Sequence, residues 1–328
     1  MIGDVLLPST RPEDWPVLRE SIRQRIIGSM GVFPAVTSKP EMREIERYTR
    51  YDLLHVRFRY HVIADHWNEA VMVMPGKAPP ANPTPTVLAV HGCVDVGKNL
   101  CLDPVADADH AYAIDLARRG YISVAPDQFG FGPGITRANR GEVVAGFYRQ
   151  WPDWSLDGMR LFEQQRLLDT LATLPEVDAA RFGVIGNSLG GRASVYLTCL
   201  DKRIVAGVSS TGISPNCTNV YRNINPAMAL SPPLTRAIAA DGRMPWEYQE
   251  LLALAAPRAL LALEPVNDPY NPDVAPVMAC VYRAWPVFER LGCAGNLALL
   301  VHGRGHATPP DLREFAYGWF DRHLFPRS

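Results

Sequence analysis

The chain has 328 residues, of which 47% are apolar and 20% are charged, and its formal net charge is -1. This is the composition of an ordinary globular protein with enough apolar residues for a large core. Charges are balanced and no long basic or acidic run occurs, so the composition implies neither nucleic acid nor an anionic membrane surface as a partner. No segment approaches the roughly 18 consecutive apolar residues that a membrane-spanning helix requires.

The N-terminal residues and the cysteines both bear on the cellular location of the protein. Residues 1–4 lack the basic flank and apolar block of a secretory signal. The six cysteines show no C-x-x-C spacing of a metal site, and six are few for this length. We therefore expect reduced thiols in a cytoplasmic protein. A mature secreted chain without its signal would look similar, and that alternative stays open.

The first quarter of the chain predicts one helix followed by extended segments. Apolar residues recur at helical spacing over residues 11–30. The strands predicted next are 44–51, 53–63 and 70–74. A Pro-rich surface turn follows at 77–85. We expect residues 1–85 to form an N-terminal helix and leading strands that are joined to a catalytic core at 86–328.

From residue 86 onward, short apolar runs alternate with helical patterns. The predicted strands are 87–90, 122–125, 182–185, 204–210, 259–264 and 297–301, and the predicted helices are 106–119, 156–174, 275–291 and 311–323. Such alternation predicts an α/β fold with a mainly parallel sheet and helices on both faces. In open sheets of this kind the chemistry lies at the carboxyl ends of the strands.

A G-x-S-x-G pattern, with Gly186, Ser188 and Gly190, follows the predicted strand 182–185. This pattern is typical of a nucleophile elbow, in which a strand turns sharply into a helix and presents the serine hydroxyl. A side chain at either glycine would collide across so tight a turn. A serine hydroxyl is a poor nucleophile until an imidazole removes its proton. The motif therefore requires a histidine and a carboxylate elsewhere in the chain.

The candidate base is His306, in the Gly-rich loop that follows strand 297–301. His302 competes with it, but His302 continues the strand and is expected to point into structure. A histidine in a loop before a helix suits a mobile proton acceptor.

The candidate acid is Asp268, a few residues beyond strand 259–264, and Glu264 and Asp273 are alternatives. Asp273 precedes a predicted helix and is otherwise a plausible N-cap. The order Ser188, Asp268, His306 is the order expected of α/β-hydrolases.

The third requirement is a pair of donors for the tetrahedral oxyanion. His91, Gly92 and Cys93 follow strand 87–90, where such folds place one donor. We assign the backbone N–H groups of Cys93 and Leu189 to this role. His91 is expected to support its loop rather than to act as a base.

Two insertions are expected to shape the pocket, namely a cap at about 213–250 and the segment 129–155. The aromatic residues proposed to contact substrate are Trp151, Trp154, Tyr221 and Trp246. The alternative is that they pack the cap onto the core. Arg192, four residues beyond Ser188, is expected to pair with a buried carboxylate; contact with a substrate acid group is its alternative.

The chain resembles the α/β-hydrolase superfamily, in its dienelactone-hydrolase and acetyl-xylan-esterase-like branch, from about residue 86 to residue 324. The segments that carry the resemblance are His91-Gly92, Gly97-Lys98, 113–121, Ala125-Pro126-Asp127, 186–191, Ala256-Pro257-Arg258 and Gly305-His306. The resemblance implies a Ser-His-Asp esterase with no metal and no organic cofactor. Ser188 stands where dienelactone hydrolases carry cysteine, and Leu189 stands where glucuronoyl esterases carry arginine.

The predicted function is hydrolysis of carboxylic esters, with a small-molecule ester as the partner. An acyltransferase, an amidase or peptidase, and a carbon–carbon bond hydrolase are alternatives on the same three residues, since fold does not determine function. A non-catalytic binding protein on this scaffold is a further alternative. A homo-oligomer is compatible with the sequence.

Overall fold

The computed structural model describes residues 3–6, 11–219 and 232–325. The strands are β1 (Met42–Arg50), β2 (Leu53–Ile63), β3 (His66–Met74), β4 (Thr84–Val90), β5 (Ile122–Pro126), β6 (Val177–Asn187), β7 (Ile204–Ser210), β8 (Ala259–Pro265) and β9 (Leu297–His302). The helices are α1 (Trp15–Met30), α2 (Tyr112–Arg118), α3 (Arg140–Gln150), α4 (Leu156–Leu171), α5 (Leu189–Leu200), α6 (Pro232–Asp241), α7 (Tyr248–Ala253), α8 (Ala275–Arg290) and α9 (Pro310–Leu324).

The strands form one sheet in the order β1-β2-β3-β5-β4-β6-β7-β8-β9. Pairing is parallel from β5 through β4 to β9 and antiparallel among β1, β2, β3 and β5. The predicted mainly parallel sheet is therefore confirmed. Its carboxyl ends bring the loops after β4, β6, β8 and β9 to one edge, because parallel strands all point the same way.

Alternate side chains of the central strands enter two separate cores. Along β4, Leu88 and Val90 pack with α1, α4, α5, α7 and α8, whereas Val87 and Ala89 pack with α2 and α9. This division follows from the two-residue period of a strand, which points successive side chains to opposite faces. Helices on both faces, as predicted, keep the central strands β4, β5, β7 and β8 buried, whereas β1 is largely exposed.

One predicted helix is shorter than the sequence pattern suggested. The sequence pattern predicts a helix over 106–119, but α2 begins only at Tyr112. The side chain of Asp107 accepts the Asp109 N–H at 3.0 Å and contacts His110 Nδ1 at 2.9 Å. These local side-chain hydrogen bonds offer the backbone an alternative to the helix.

The described part of the predicted cap insertion contains α6 and α7. Helix α7 is largely buried and packs against α8, α5 and α1, and α6 packs against α1. Among the described residues, no helix combines the length and apolar character needed to cross a lipid bilayer.

Candidate active site

The turn from β6 into α5 holds Ser188 in a conformation that L-residues rarely adopt, with φ of 58° and ψ of -116°. A Cβ atom at Gly186 would lie 2.4 Å from the Gly190 carbonyl carbon, and one at Gly190 would lie 2.0 Å from the Val90 oxygen. Both glycines are therefore required by the close approach of backbone, as predicted. A backbone outlier of this kind stores about 1–3 kcal/mol, which the surrounding packing must offset.

A histidine and an aspartate meet beside this edge of the sheet. His306 Nδ1 lies 2.8 Å from Asp268 Oδ2. The Asp268 side chain is 1% exposed and the His306 side chain is 18% exposed. The Tyr270 N–H donates to Asp268 Oδ1 at 2.7 Å, which fixes the carboxylate. A carboxylate on Nδ1 holds the imidazole in the tautomer whose Nε2 can accept a proton.

The two alternative acids hold other parts of the fold. Glu264, buried at the end of β8, accepts the Ile213 N–H at 3.2 Å. Asp273 accepts the Ala275 N–H at 3.0 Å, at the start of α8. The carboxylate that accepts the hydrogen bond from Nδ1–H of His306 belongs to Asp268.

The competing histidine, His302, is tied into the structure. Its carbonyl accepts the Val266 N–H at 2.8 Å, and its Nδ1 accepts the Arg304 N–H at 3.2 Å. Burial lowers the pKa of this imidazole. These contacts fit a structural role for His302.

The loop after β4 lies directly against the nucleophile elbow. A Cβ atom at Gly92 would lie 3.6 Å from Ser188 Cβ. Leu189 is the first residue of α5, so its N–H has no acceptor within the helix and lies at the positive end of the helix dipole. This geometry is compatible with oxyanion donors at Cys93 and Leu189, and that assignment stays a prediction.

His91 supports this loop from inside the protein. It is fully buried, its Nδ1–H donates to the Gly92 carbonyl at 2.7 Å, and its Nε2 accepts the Gln128 N–H at 3.1 Å. Burial lowers the pKa of the imidazole, which favours the neutral form. These contacts fit the structural role that the sequence suggested.

A buried ion cluster, formed by Lys98, Asp127 and Glu69, fastens the same loop to β5 and β3. Lys98 Nζ lies 2.6 Å from Asp127 Oδ2 and 2.9 Å from Glu69 Oε1, and the Lys98 N–H donates to Asp127 Oδ1 at 2.9 Å. In the sequence, Lys98 and Asp127 stand out only as parts of the segments Gly97-Lys98 and Ala125-Pro126-Asp127. The ion pair could have been predicted from the positions of the two residues, because Lys98 comes soon after the His91-Gly92 pair and Asp127 comes at the end of the next strand.

Arg192 pairs with Asp157 inside the protein, with 3.1 Å between Nη1 and Oδ2. Arg160 approaches the same carboxylate at 3.7 Å. This pairing fits the predicted structural role. The residues lining the small cavity beside them are Gln128, Asp157, Arg160, Leu161, Leu189, Arg192, Ala193 and Tyr196.

Two of the four predicted substrate-binding aromatics, Trp154 and Trp246, are buried in the core. Trp154 is 1% exposed and Trp246 is 4% exposed, and the indole N–H of Trp246 donates to Ser29 Oγ at 2.8 Å. Trp151 packs edge-on against Trp154. This placement corrects the prediction for Trp154 and Trp246, because side chains buried in the core have no surface left for substrate. Tyr221 lies outside the described residues.

No three His, Cys, Asp or Glu side chains of the described residues converge into a metal-binding cluster. The prediction that the reaction needs no metal stays a prediction.

The sheet order, the strained serine between β6 and α5, and the paired loops after β8 and β9 define the α/β-hydrolase fold. Residues 6–224 match the model of the Abhydrolase family, and the chain belongs to that family. The resemblance to the α/β-hydrolase superfamily is thus confirmed.

Similar proteins include esterases. The chain is 24% identical over 278 residues to 4-O-methyl-glucuronoyl methylesterase 1 of Phanerochaete chrysosporium; the match covers 78% of this chain and 54% of that protein. The chain therefore spans about half the length of this relative.

Two solved structures share the fold across nearly their whole length. A glucuronoyl esterase from Solibacter usitatus superposes with a TM-score of 0.75 and 17% identity, covering 98% of this chain and 97% of that one. A promiscuous CE15 esterase from a marine bacterial metagenome gives a TM-score of 0.77 and 14% identity, covering 99% and 97%. At such identities the likeness shows the fold alone.

Proposed function

We propose that this protein is a serine hydrolase that cleaves carboxylic esters. The observation that carries the proposal is the 2.8 Å contact between His306 Nδ1 and Asp268 Oδ2 on the edge of the sheet where the strained Ser188 turn also lies. A buried carboxylate that orients a partly exposed imidazole is the arrangement needed to remove a proton from a hydroxyl nucleophile.

In the proposed reaction, Ser188 Oγ attacks the ester carbonyl while His306 Nε2 takes the hydroxyl proton. Asp268 stabilises the imidazolium cation that forms. The backbone N–H groups of Cys93 and Leu189 hold the oxyanion of the tetrahedral intermediate, where one donor contributes about 3–4 kcal/mol. The imidazolium returns its proton to the leaving alcohol. Water, activated by the same imidazole, then releases the acid from Ser188.

Ester hydrolysis, rather than another acyl transfer, is supported by the related proteins that are named as esterases. The substrate class is proposed no more narrowly than carboxylic esters. Leu189 is apolar and follows the nucleophile directly, so this position supplies no charged side chain to select a uronic acid ester.

The experiment that tests the proposal is hydrolysis of p-nitrophenyl esters, acetate to palmitate, by wild type and Ser188→Ala. The matched control is Ser123→Ala on β5, whose buried hydroxyl donates to the Ala113 carbonyl. Turnover that is lost in Ser188→Ala and kept in Ser123→Ala supports a serine esterase. Near-normal turnover by Ser188→Ala overturns the nucleophile. Labelling of Ser188 by a fluorophosphonate without turnover of any ester overturns the ester assignment alone.

We also propose a cytoplasmic location. All six cysteines are free thiols in the structure, as is usual in a reducing compartment. Fractionation of the producing cells tests this: enzyme recovered with cytoplasmic markers supports the location, and enzyme recovered outside the cell overturns it.

A further inference from the structure

A chain of buried hydroxyl and amide groups runs from the loop that carries His306 to the turn that carries Ser188. Thr308, two residues beyond His306, donates from Oγ1 to Ser210 Oγ at 2.8 Å. Asn187, which precedes Ser188, donates from Nδ2 to the same Ser210 oxygen at 3.2 Å. Thr308 and Ser210 are fully buried, so water does not compete for these bonds.

This chain of hydrogen bonds continues to the backbone of Ser188. Asn187 Nδ2 also donates to Thr211 Oγ1 at 3.1 Å. The Ser188 N–H donates to Thr211 Oγ1 at 3.0 Å and to the Ser210 carbonyl at 2.9 Å. Residues 210 and 211 thus hold both the amide of Asn187 and the peptide of Ser188.

Thr211 is itself under backbone strain. Its φ is 52°, a conformation that is unfavourable for a β-branched residue. Its N–H donates to the Leu263 carbonyl at the end of β8. Ser188 and Thr211, which both have a strained backbone, are therefore joined by a hydrogen bond. Strain of this kind persists only where the surrounding structure over-determines the conformation.

We infer that Thr308 and Ser210 are positioning residues, which hold the His306 loop in register with the nucleophile turn through Asn187 and Thr211. The inference rests on the proposed function. Ser188 and His306 stand on separate loops, and a displacement of about 1 Å between reacting groups can lower a rate by about a hundredfold. A chain of hydrogen bonds resists such a displacement, because each bond weakens steeply when its distance or angle departs from the preferred range.

Tyr112 holds the Thr308 end of this chain of hydrogen bonds. Its hydroxyl donates to Thr308 Oγ1 at 2.9 Å. Thr308 therefore accepts one hydrogen bond from α2 and donates another towards β7, which fixes the orientation of its hydroxyl. Replacing Thr308 with valine keeps the shape of the side chain and removes both bonds.

The test compares Thr308→Val, Thr308→Ser and Ser210→Ala with wild type on a p-nitrophenyl ester. We expect Thr308→Val to lower kcat by about ten- to a hundredfold with KM changed by less than about twofold. Thr308→Ser restores the hydroxyl and is expected to recover most of the kcat. Ser210→Ala interrupts the same chain by removing one oxygen atom, so it tests the inference even where Thr308→Val fails to fold.

Two further measurements separate positioning from stability. The rate at which a fluorophosphonate labels Ser188 is expected to fall together with kcat. The control is Thr170→Val on α4, a buried threonine whose hydroxyl donates to the Arg166 carbonyl in its own helix; it is expected to lose stability and keep kcat.

The inference is overturned if Ser210→Ala and folded Thr308→Val keep kcat and labelling within about twofold of wild type. It is equally overturned if Thr308→Ser fails to recover activity or if Thr170→Val loses as much kcat. A wild-type protein that is labelled at Ser188 but hydrolyses no ester contradicts only the proposed function, and the labelling rates then test the hydroxyl chain. A wild-type protein that is not labelled contradicts both.

Discussion

Asp268 and His306 come from the loops after two neighbouring strands, β8 and β9, and meet with 2.8 Å between Oδ2 and Nδ1. Further hydrogen bonds fix the two loops that carry this contact. The Tyr270 N–H donates to the carboxylate, and the Gly305 N–H donates to the side chain of Asn267, beside Asp268, at 2.9 Å. The two loops are therefore fastened to each other as well as joined by the acid and the imidazole.

Asp268→Asn is expected to lower kcat by about 10⁴-fold in a folded protein, because an amide next to Nδ1 favours the wrong imidazole tautomer. Steady-state kinetics with an ester substrate measures this. The control is Asp273→Asn, which removes a negative charge at the start of α8 but keeps an oxygen that can accept the Ala275 N–H, and it is expected to leave kcat unchanged. A large loss of kcat in Glu264→Gln, with Asp268→Asn close to wild type, would falsify the assignment of the acid.

Stability is expected to fall as the pH drops below about 6.5, the usual pKa of histidine. Burial lowers the pKa of His91, so the folded protein binds fewer protons at this site than the unfolded chain does. The stabilisation from the neutral imidazole is complete above the unfolded pKa and declines as the pH falls below it. Burial lowers the pKa of His55 as well, which adds to the effect.

His91→Gln is expected to flatten this acid limb. Removing one titrating group lowers the slope of the unfolding free energy against pH by up to about 1.4 kcal/mol per pH unit. Urea unfolding of wild type and variant between pH 5 and pH 7.5 provides the slopes. Equal slopes would show that His91 is not the buried neutral group that the structure describes.

Gly186→Ala is expected to destabilise the fold by about 3 kcal/mol, because the new Cβ would meet rigid backbone. That atom would lie 2.4 Å from the Gly190 carbonyl carbon and 2.6 Å from the Val90 oxygen. The control is Gly141→Ala on α3, where no atom lies within 4 Å of the new Cβ. There alanine is expected to raise stability by up to about 1 kcal/mol. Thermal unfolding that ranks the two variants the other way contradicts the prediction.

Lys98→Met is expected to destabilise the protein by about 3–5 kcal/mol, because two buried carboxylates lose the cation between them. Asp127 and Glu69 are both less than one-tenth exposed. Chemical unfolding measures the loss. The control is Arg236→Met, whose pair with Asp153 is more than half exposed on both sides and contributes little. A Lys98→Met variant as stable as this control contradicts the buried ion cluster.

The start of α2 could not be predicted from the local pattern of apolar residues. Apolar spacing alone favoured a helix over 106–119, whereas the hydrogen bonds of the Asp107 side chain keep the chain out of a helix until Tyr112. A short polar side chain that competes with the backbone leaves the apolar spacing unchanged. The pattern therefore could not locate the start of this helix.

Three features could be predicted from the sequence alone: the alternation of strands and helices, the turn at Ser188, and the order in which Ser188, Asp268 and His306 follow their strands. These features depend on local spacing, on glycine and on chain order. The folded structure was needed to establish that Asp268 is hydrogen-bonded to His306, that Trp154 and Trp246 belong to the core, and that Thr308 is hydrogen-bonded to Ser210. Burial and hydrogen bonds between distant segments arise when the strands assemble side by side, and no local pattern records them.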